Sequence, residues 1–143
     1  MTEKFALSIC MMVRDEEKNL KRCLDSLKIL LDKGDVELII VDTGSKDSTV
    51  SIAKEYTDKV YYHQWNNDFS YMRNVTISYA KGKYLMILDA DEVLLDPLLL
   101  YERINDPRLQ SFNTYLVKVK NFDSSGGFTV LAQERIFKND GEF

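Results

Sequence analysis

Tyr84-Leu85-Met86-Ile87-Leu88-Asp89-Ala90-Asp91-Glu92 is the stretch that decides the fold. Its apolar residues run without alternation, so both faces of the segment must be buried. That marks an interior strand of a mainly parallel sheet rather than a half-exposed one. The run stops abruptly at Asp89, and Asp91 and Glu92 follow at once.

The same pattern occurs twice more upstream. Ala6–Val13 is an apolar run that ends in Arg14-Asp15-Glu16-Glu17, and Val36–Val41 is a β-branched run that ends in Asp42-Thr43-Gly44-Ser45. Between these runs the period becomes helical. Leu20, Cys23, Leu24, Leu27 and Leu31 recur every three or four residues, predicting a helix from Glu16 to Leu31 that Gly34 stops. A second helix is expected over Asp47–Tyr56, with Asp47 or Ser45 as its cap, and a short strand over Lys59–Gln64. Asn66-Asn67-Asp68 offers caps for a helix from Phe69 to Ala80. Asp96-Pro97 reads as a side-chain cap with proline at the first helical position, opening a helix to Ile104. Thr114–Phe122 and Phe128–Lys138 are two strands, and Ser124-Ser125-Gly126-Gly127 between them predicts a hairpin.

Strands alternating with helices predict an α/β fold in three layers, α/β/α. Its sheet is mainly parallel and doubly wound, with a C-terminal β-hairpin. The chain has 143 residues, 45% of them hydrophobic and 29% charged, which suits one globular domain over 1–143 and excludes a disordered or repeat protein. With 19 basic and 23 acidic residues the net charge is −4, so the broad basic field of a nucleic-acid binder is missing. Cys10 and Cys23 lie in apolar patterns and are expected as buried thiols, and a single histidine, His63, leaves too few soft ligands for a zinc site. The apolar run Phe5–Val13 is too short to cross a membrane and is followed by charges rather than a cleavage site. No transmembrane segment is expected, and a cytoplasmic location is.

In a parallel sheet the C-terminal strand ends share one edge, where such folds bind ligands at a topological switch point. Three acidic turns are therefore expected to converge there. Unpaired carboxylates brought together repel one another, and a hard divalent cation relieves that. Asp89 and Asp91, alternate positions leaving a strand, could both face Mg²⁺ or Mn²⁺, with a diphosphate and water completing the shell. The alternative is that they are surface acids closing a turn. Asp42 is either an ordinary turn former before Thr43-Gly44-Ser45 or an acceptor for a ligand N–H or hydroxyl. Arg73 could fork onto a phosphate, or be a helix charge paired with Asp68 or an acidic strand end. His63 and Trp65 are expected as packing residues, and Ser45 has no histidine partner for nucleophilic chemistry.

At these residues the chain resembles family 2 of the nucleotide-sugar glycosyltransferases, which have the GT-A fold, a Rossmann-like sheet. The resembling pieces are Leu7–Glu17, Ile39–Thr49, Asn67–Asn74 and Leu88–Glu92, with Gln133–Asn139 similar to a segment of one bacterial subgroup. The resemblance implies a nucleotide pocket lined by Val13, Arg14, Asp15, Glu16, Asp42, Gly44, Ser45, Arg73, Asp89 and Ala90. Asp42 would meet the base, typically uracil. Asp91, with Asp89, would hold Mn²⁺ or Mg²⁺ on the diphosphate. It further implies a nucleoside-diphosphate sugar as donor, inversion at the anomeric carbon, and a saccharide, lipid or peptide acceptor. Met72 stands where the family usually has a small residue. The family's general base lies later than Phe143, so the chain is expected to be its N-terminal nucleotide-binding part. Two alternatives stay open. Leu85–Val93 also fits the strand and D-x-D of haloacid-dehalogenase phosphatases, with Asp89 as nucleophile and Asp91 as acid/base, though that motif normally opens its domain. The missing base equally suits a non-catalytic nucleotide-binding module.

Overall fold

The computed structural model describes residues 5–109 and 114–140. Seven strands, β1 (Phe5–Val13), β2 (Val36–Asp42), β3 (Val60–Tyr62), β4 (Gly82–Ile87), β5 (Glu92–Leu94), β6 (Thr114–Phe122) and β7 (Phe128–Lys138), form one sheet. Its order is β3-β2-β1-β4-β7-β6-β5. β3, β2, β1 and β4 are parallel, whereas β7, β6 and β5 add on antiparallel. The chain runs outward from β1 to β3, then returns to the other side of β1 as β4. The switch point predicted from the sequence therefore lies between β1 and β4.

The apolar runs are buried on both faces as their composition requires. Leu7, Ile9, Met11 and Val13 of β1 join Val36, Leu38 and Ile40 of β2 and Tyr84 and Met86 of β4 in the larger core. Helices α1 (Leu20–Asp25), α2 (Lys28–Leu31), α3 (Thr49–Lys54) and α5 (Pro97–Ile104) cover this face with Leu20, Leu24, Leu30, Ala53, Leu100 and Ile104. On the opposite face Cys10, Ile39, Leu85 and Ile87 pack under Ile77 of α4 (Phe69–Ser78) and under Tyr79 and Ala80 just beyond it. Each fully buried Leu or Ile contributes roughly 2 kcal/mol of transfer free energy. Both cysteines are free and buried, as expected. Asp68 caps α4 as the sequence predicts, its carboxylate accepting from Tyr71 N–H at 3.0 Å.

Several expectations are corrected. The helix predicted over Glu16–Leu31 is two short helices, because Ser26 interrupts it. The Ser26 hydroxyl donates back to the Cys23 carbonyl and accepts from Leu94 N–H at 3.1 Å, so it serves β5 rather than the helix. β5 itself, three residues long, was not expected. The second helix and β3 are shorter than predicted. Asp96 does not cap α5 with its side chain. It takes a left-handed conformation (φ 51°), and Pro97 alone opens the helix as predicted.

Candidate functional site

The C-terminal edge of the parallel strands is assembled from three turns. Val13 at the end of β1 stands in register with Asp42 at the end of β2, and Leu88 N–H reaches Cys10 O at 3.4 Å where β4 leaves the sheet. The turns after β1 and β2 are zipped together. Asp15 N–H donates to Ser45 Oγ at 2.8 Å, and Lys46 N–H returns a bond to Asp15 Oδ1 at 2.7 Å. Glu16 N–H donates to Thr49 Oγ1 at 2.8 Å, and Ser48 N–H to Glu17 Oε2 at 3.0 Å. Asp15 sits at φ 52°, a conformation short polar side chains tolerate, and Gly44 at φ 122°, which only glycine adopts readily. Arg14 points to solvent and Glu16 is half-buried.

Asp42 meets its turn-former reading with one oxygen and leaves the other without a protein partner among the described residues. Oδ2 accepts from Gly44 N–H and Ser45 N–H, both at 3.1 Å, which is the turn former's role. Oδ1 is buried and has no hydrogen-bond partner among the described residues, in a residue only 4% exposed. An unmatched buried acceptor is costly, about 1–3 kcal/mol.

The third turn differs in form from the expectation. Asp89 and Asp91 do not alternate along an extended strand. Glu92 N–H donates to Asp89 O at 3.0 Å, closing a β-turn that tucks Ala90 into the core (4% exposed). Asp89 lies exposed and Asp91 half-exposed.

The carboxylates of the three turns lie close enough to act on one another. Partial burial pushes the Glu16 pKa up, and the carboxylates of Asp91, Asp89 and Asp47 push it further against the pull of Asn19. The Asp89 pKa is also raised, by desolvation on its protein-facing side and by Glu92, while Arg135 and Arg73 draw it down. Arg73, half-buried on α4, stacks over the Phe69 ring at 4.9 Å. Desolvation lowers its pKa, and Asp89 is the first charge to oppose that. Arg73 makes no hydrogen bond or salt bridge among the described residues, so neither its predicted pairing with Asp68 nor one with a strand end forms. Met72 beside it is a core residue, 1% exposed.

Two residues of this edge were missed by sequence reasoning. Glu92 is wholly buried, and Arg135 of β7 bridges to it with Nη1–Oε1 at 2.7 Å and Nη2–Oε2 at 2.8 Å. The signal available was the Gln133–Asn139 resemblance, which named the segment but not its partner. His63 and Trp65 hold packing positions. His63 Nε2 meets Tyr79 OH at 2.6 Å, and Trp65 lies edge-on to Phe69.

With this geometry in hand the relatives can be placed. The model of the family described as Glycosyl transferase family 2 matches residues 8–128. This chain belongs to glycosyl transferase family 2. Among its relatives, a TPR repeat-containing protein of Synechococcus elongatus is 47% identical over 89 residues, covering 62% of this chain and 21% of that protein. The SPbeta prophage-derived glycosyltransferase SunS of Bacillus subtilis is 39% identical over 84 residues, covering 57% of this chain and 19% of that one. The chain thus spans about a fifth of the length of these relatives. Among solved structures, S. aureus TarS 1–349 in complex with UDP-GlcNAc superposes with a TM-score of 0.55 at 25% identity, over 66% of this chain and 29% of that one. The mannosyltransferase PcManGT of Pyrobaculum calidifontis, in complex with GDP-Man and Mn²⁺, shares the fold (TM-score 0.61, 18% identity, 71% of this chain and 33% of that one). Family membership and the three strands preceding β4, which leads into Asp89, disfavour the phosphatase alternative. Among the described residues no helix is long and apolar enough to cross a membrane.

Proposed function

We propose that this chain is the nucleotide-sugar-binding part of a metal-dependent, inverting glycosyltransferase whose donor is a uridine diphosphate sugar. The observation that carries the proposal is Asp42 Oδ1, a buried acceptor beside the acidic turns with no partner among the described residues. Uracil presents an N–H that this oxygen can take. The TarS match at 25% identity, in a structure holding UDP-GlcNAc, favours uridine over other bases.

From Asp42 the nucleotide would run past the zipped turns of Val13, Arg14, Asp15 and Glu16 and of Gly44 and Ser45, toward Asp89, Ala90 and Asp91. Asp91 with Asp89 would hold Mn²⁺ or Mg²⁺. The fit is chemical. Both donors are hard carboxylate oxygens, and among the described residues no third acid, histidine or cysteine completes a cage. That leaves coordination positions for phosphate and water. Such an ion supplies neutralisation of the charge that develops on the departing diphosphate. Arg73, stacked on Phe69 but with no hydrogen bond among the described residues, offers its guanidinium N–H groups to a phosphate oxygen on the same side. The base that deprotonates the acceptor is not assigned to any residue here. The acceptor is a saccharide, lipid or peptide.

Titration of UDP by calorimetry with and without Mn²⁺ tests the proposal. Mn²⁺ should tighten UDP binding, and Asp91→Asn should remove that gain while sparing metal-free binding. An unchanged gain in Asp91→Asn overturns the metal role. A thermal-shift panel of UDP-, GDP-, dTDP- and CMP-linked sugars with Mn²⁺ tests the donor, since a ligand bound only by the native state raises its melting point. The largest shift is expected from a UDP-sugar, and no shift from any of them refutes nucleotide-sugar binding.

A further inference from the structure

The carboxylate of Glu92 has no exposed surface, so it needs a cation, and the cation comes from β7, two strands away in the sheet. Arg135 on β7 meets it at two points. The guanidinium is itself held on its other edge. Its Nε donates to Gln133 Oε1 at 2.8 Å, Nη2 also donates to Gln133 Oε1, and Nη1 reaches the Ile87 carbonyl at 3.3 Å. Glu92 then hands the constraint on, because its Oε1 accepts from the Asp89 amide at 2.9 Å. A continuous chain of hydrogen bonds thus runs from Gln133 through Arg135 and Glu92 to the first residue of the Asp89–Asp91 turn. Two guanidiniums feel the Asp89 charge, and of the two only Arg135 is hydrogen-bonded to protein partners among the described residues.

We infer that Arg135 is a positioning residue which, through Glu92, fixes where the Asp89 and Asp91 carboxylates stand to receive a divalent cation and its diphosphate. The inference rests on the metal and nucleotide roles proposed above. The physical case is that a β-turn closed by one short backbone bond, with a longer one from Phe122 N–H to Asp91 O at 3.4 Å, is soft, and metal affinity depends on donors standing within a few tenths of an ångström of their places. A planar, two-point, buried ion pair removes that softness, and a point charge does not reproduce it. Arg135 touches no reacting atom in this scheme.

The experiment is UDP calorimetry with and without Mn²⁺ on the wild type, Arg135→Lys and Gln133→Leu, with circular dichroism confirming that each is folded. Arg135→Lys should cut the gain in UDP affinity that Mn²⁺ confers by about tenfold or more, the usual effect of losing a group that orients metal ligands. Its metal-free UDP affinity should hold within twofold. Gln133→Leu, which leaves the Glu92 pair intact, should show a smaller loss in the same quantity and decides the matter if Arg135→Lys is unfolded. An unchanged Mn²⁺ gain in a folded variant overturns the inference. So does an equal loss with and without metal, which is the mark of general damage. If the wild type itself shows no Mn²⁺ gain, the metal role proposed above is what has failed.

Discussion

The backbone amide of Asp15 donates to the Ser45 hydroxyl at 2.8 Å, joining two turns 30 residues apart in sequence. Neither turn has regular structure of its own. The edge is ordered because each supplies the other's missing partners, and Thr49, wholly buried, is the anchor of this exchange.

Thr49→Val keeps the shape of that side chain but leaves Glu16 N–H without its acceptor. Urea denaturation should show a loss of about 1–3 kcal/mol, the cost of a part-buried unmatched donor. Ser45→Ala, at a more exposed pair, should cost less. Equal costs would mean that the exchange is not what orders the edge.

Gly82 is required by close approach rather than by its backbone angles. A Cβ there would stand 2.6 Å from Ser8 Oγ, 2.7 Å from Ser8 N and 2.8 Å from Leu7 C. Two of these are backbone atoms of a neighbouring strand and cannot move aside. Gly82→Ala should lower unfolding free energy by about 2–3 kcal/mol, measured by denaturant titration.

At the opposite end of the sheet from the site, Glu37 is 4% exposed. Burial alone would push its pKa up. Hydrogen bonds from Lys59 Nζ (2.6 Å), from the Ser8 hydroxyl and from Lys81 N–H (2.7 Å) outweigh that and hold it below its ordinary 4.5. A carboxyl with a depressed native pKa stabilises the fold fully above its unfolded pKa, and the contribution fades as pH falls through the native value. Stability should therefore drop on acidification from about pH 5 downward, and Glu37→Gln should be less stable than wild type at pH 7 and converge toward it at low pH. Parallel stability curves for the two proteins would contradict this.

Asp42→Asn separates the base contact from the metal. Its amide can still offer one oxygen to the Gly44 and Ser45 amides, but the atom replacing Oδ1 is then a donor facing a donor. UDP affinity should fall about tenfold or more with and without Mn²⁺ alike, unlike Asp91→Asn, while the melting temperature stays nearly level because one unmatched buried polar atom replaces another. Retained UDP affinity would remove Asp42 from the site.

Much of this was legible from residue order alone. Unbroken apolar runs such as Tyr84–Leu88 force burial on two faces, and that demand fixes parallel strands with helices on both sides. Acids at Asp15, Asp42 and Asp89 then fall on one edge because parallel strands all end there. Asp68 announces its helix because capping is settled within three residues.

What the sequence could not show depends on which distant segments touch. β5 is three residues long, too short for its own periodicity, and exists because β6 pairs with it. Ser26 breaks a helical pattern that is sound on paper because a strand nearly seventy positions away claims its hydroxyl. Arg135 finds Glu92 across 43 residues only because β7 joins the sheet beside β4. That Asp42 Oδ1 meets no donor among the described residues is likewise a fact of surroundings. Local preference and burial are properties of a segment, and so are written in its residues. The meeting of charges is a property of register between segments, and only the folded chain decides it.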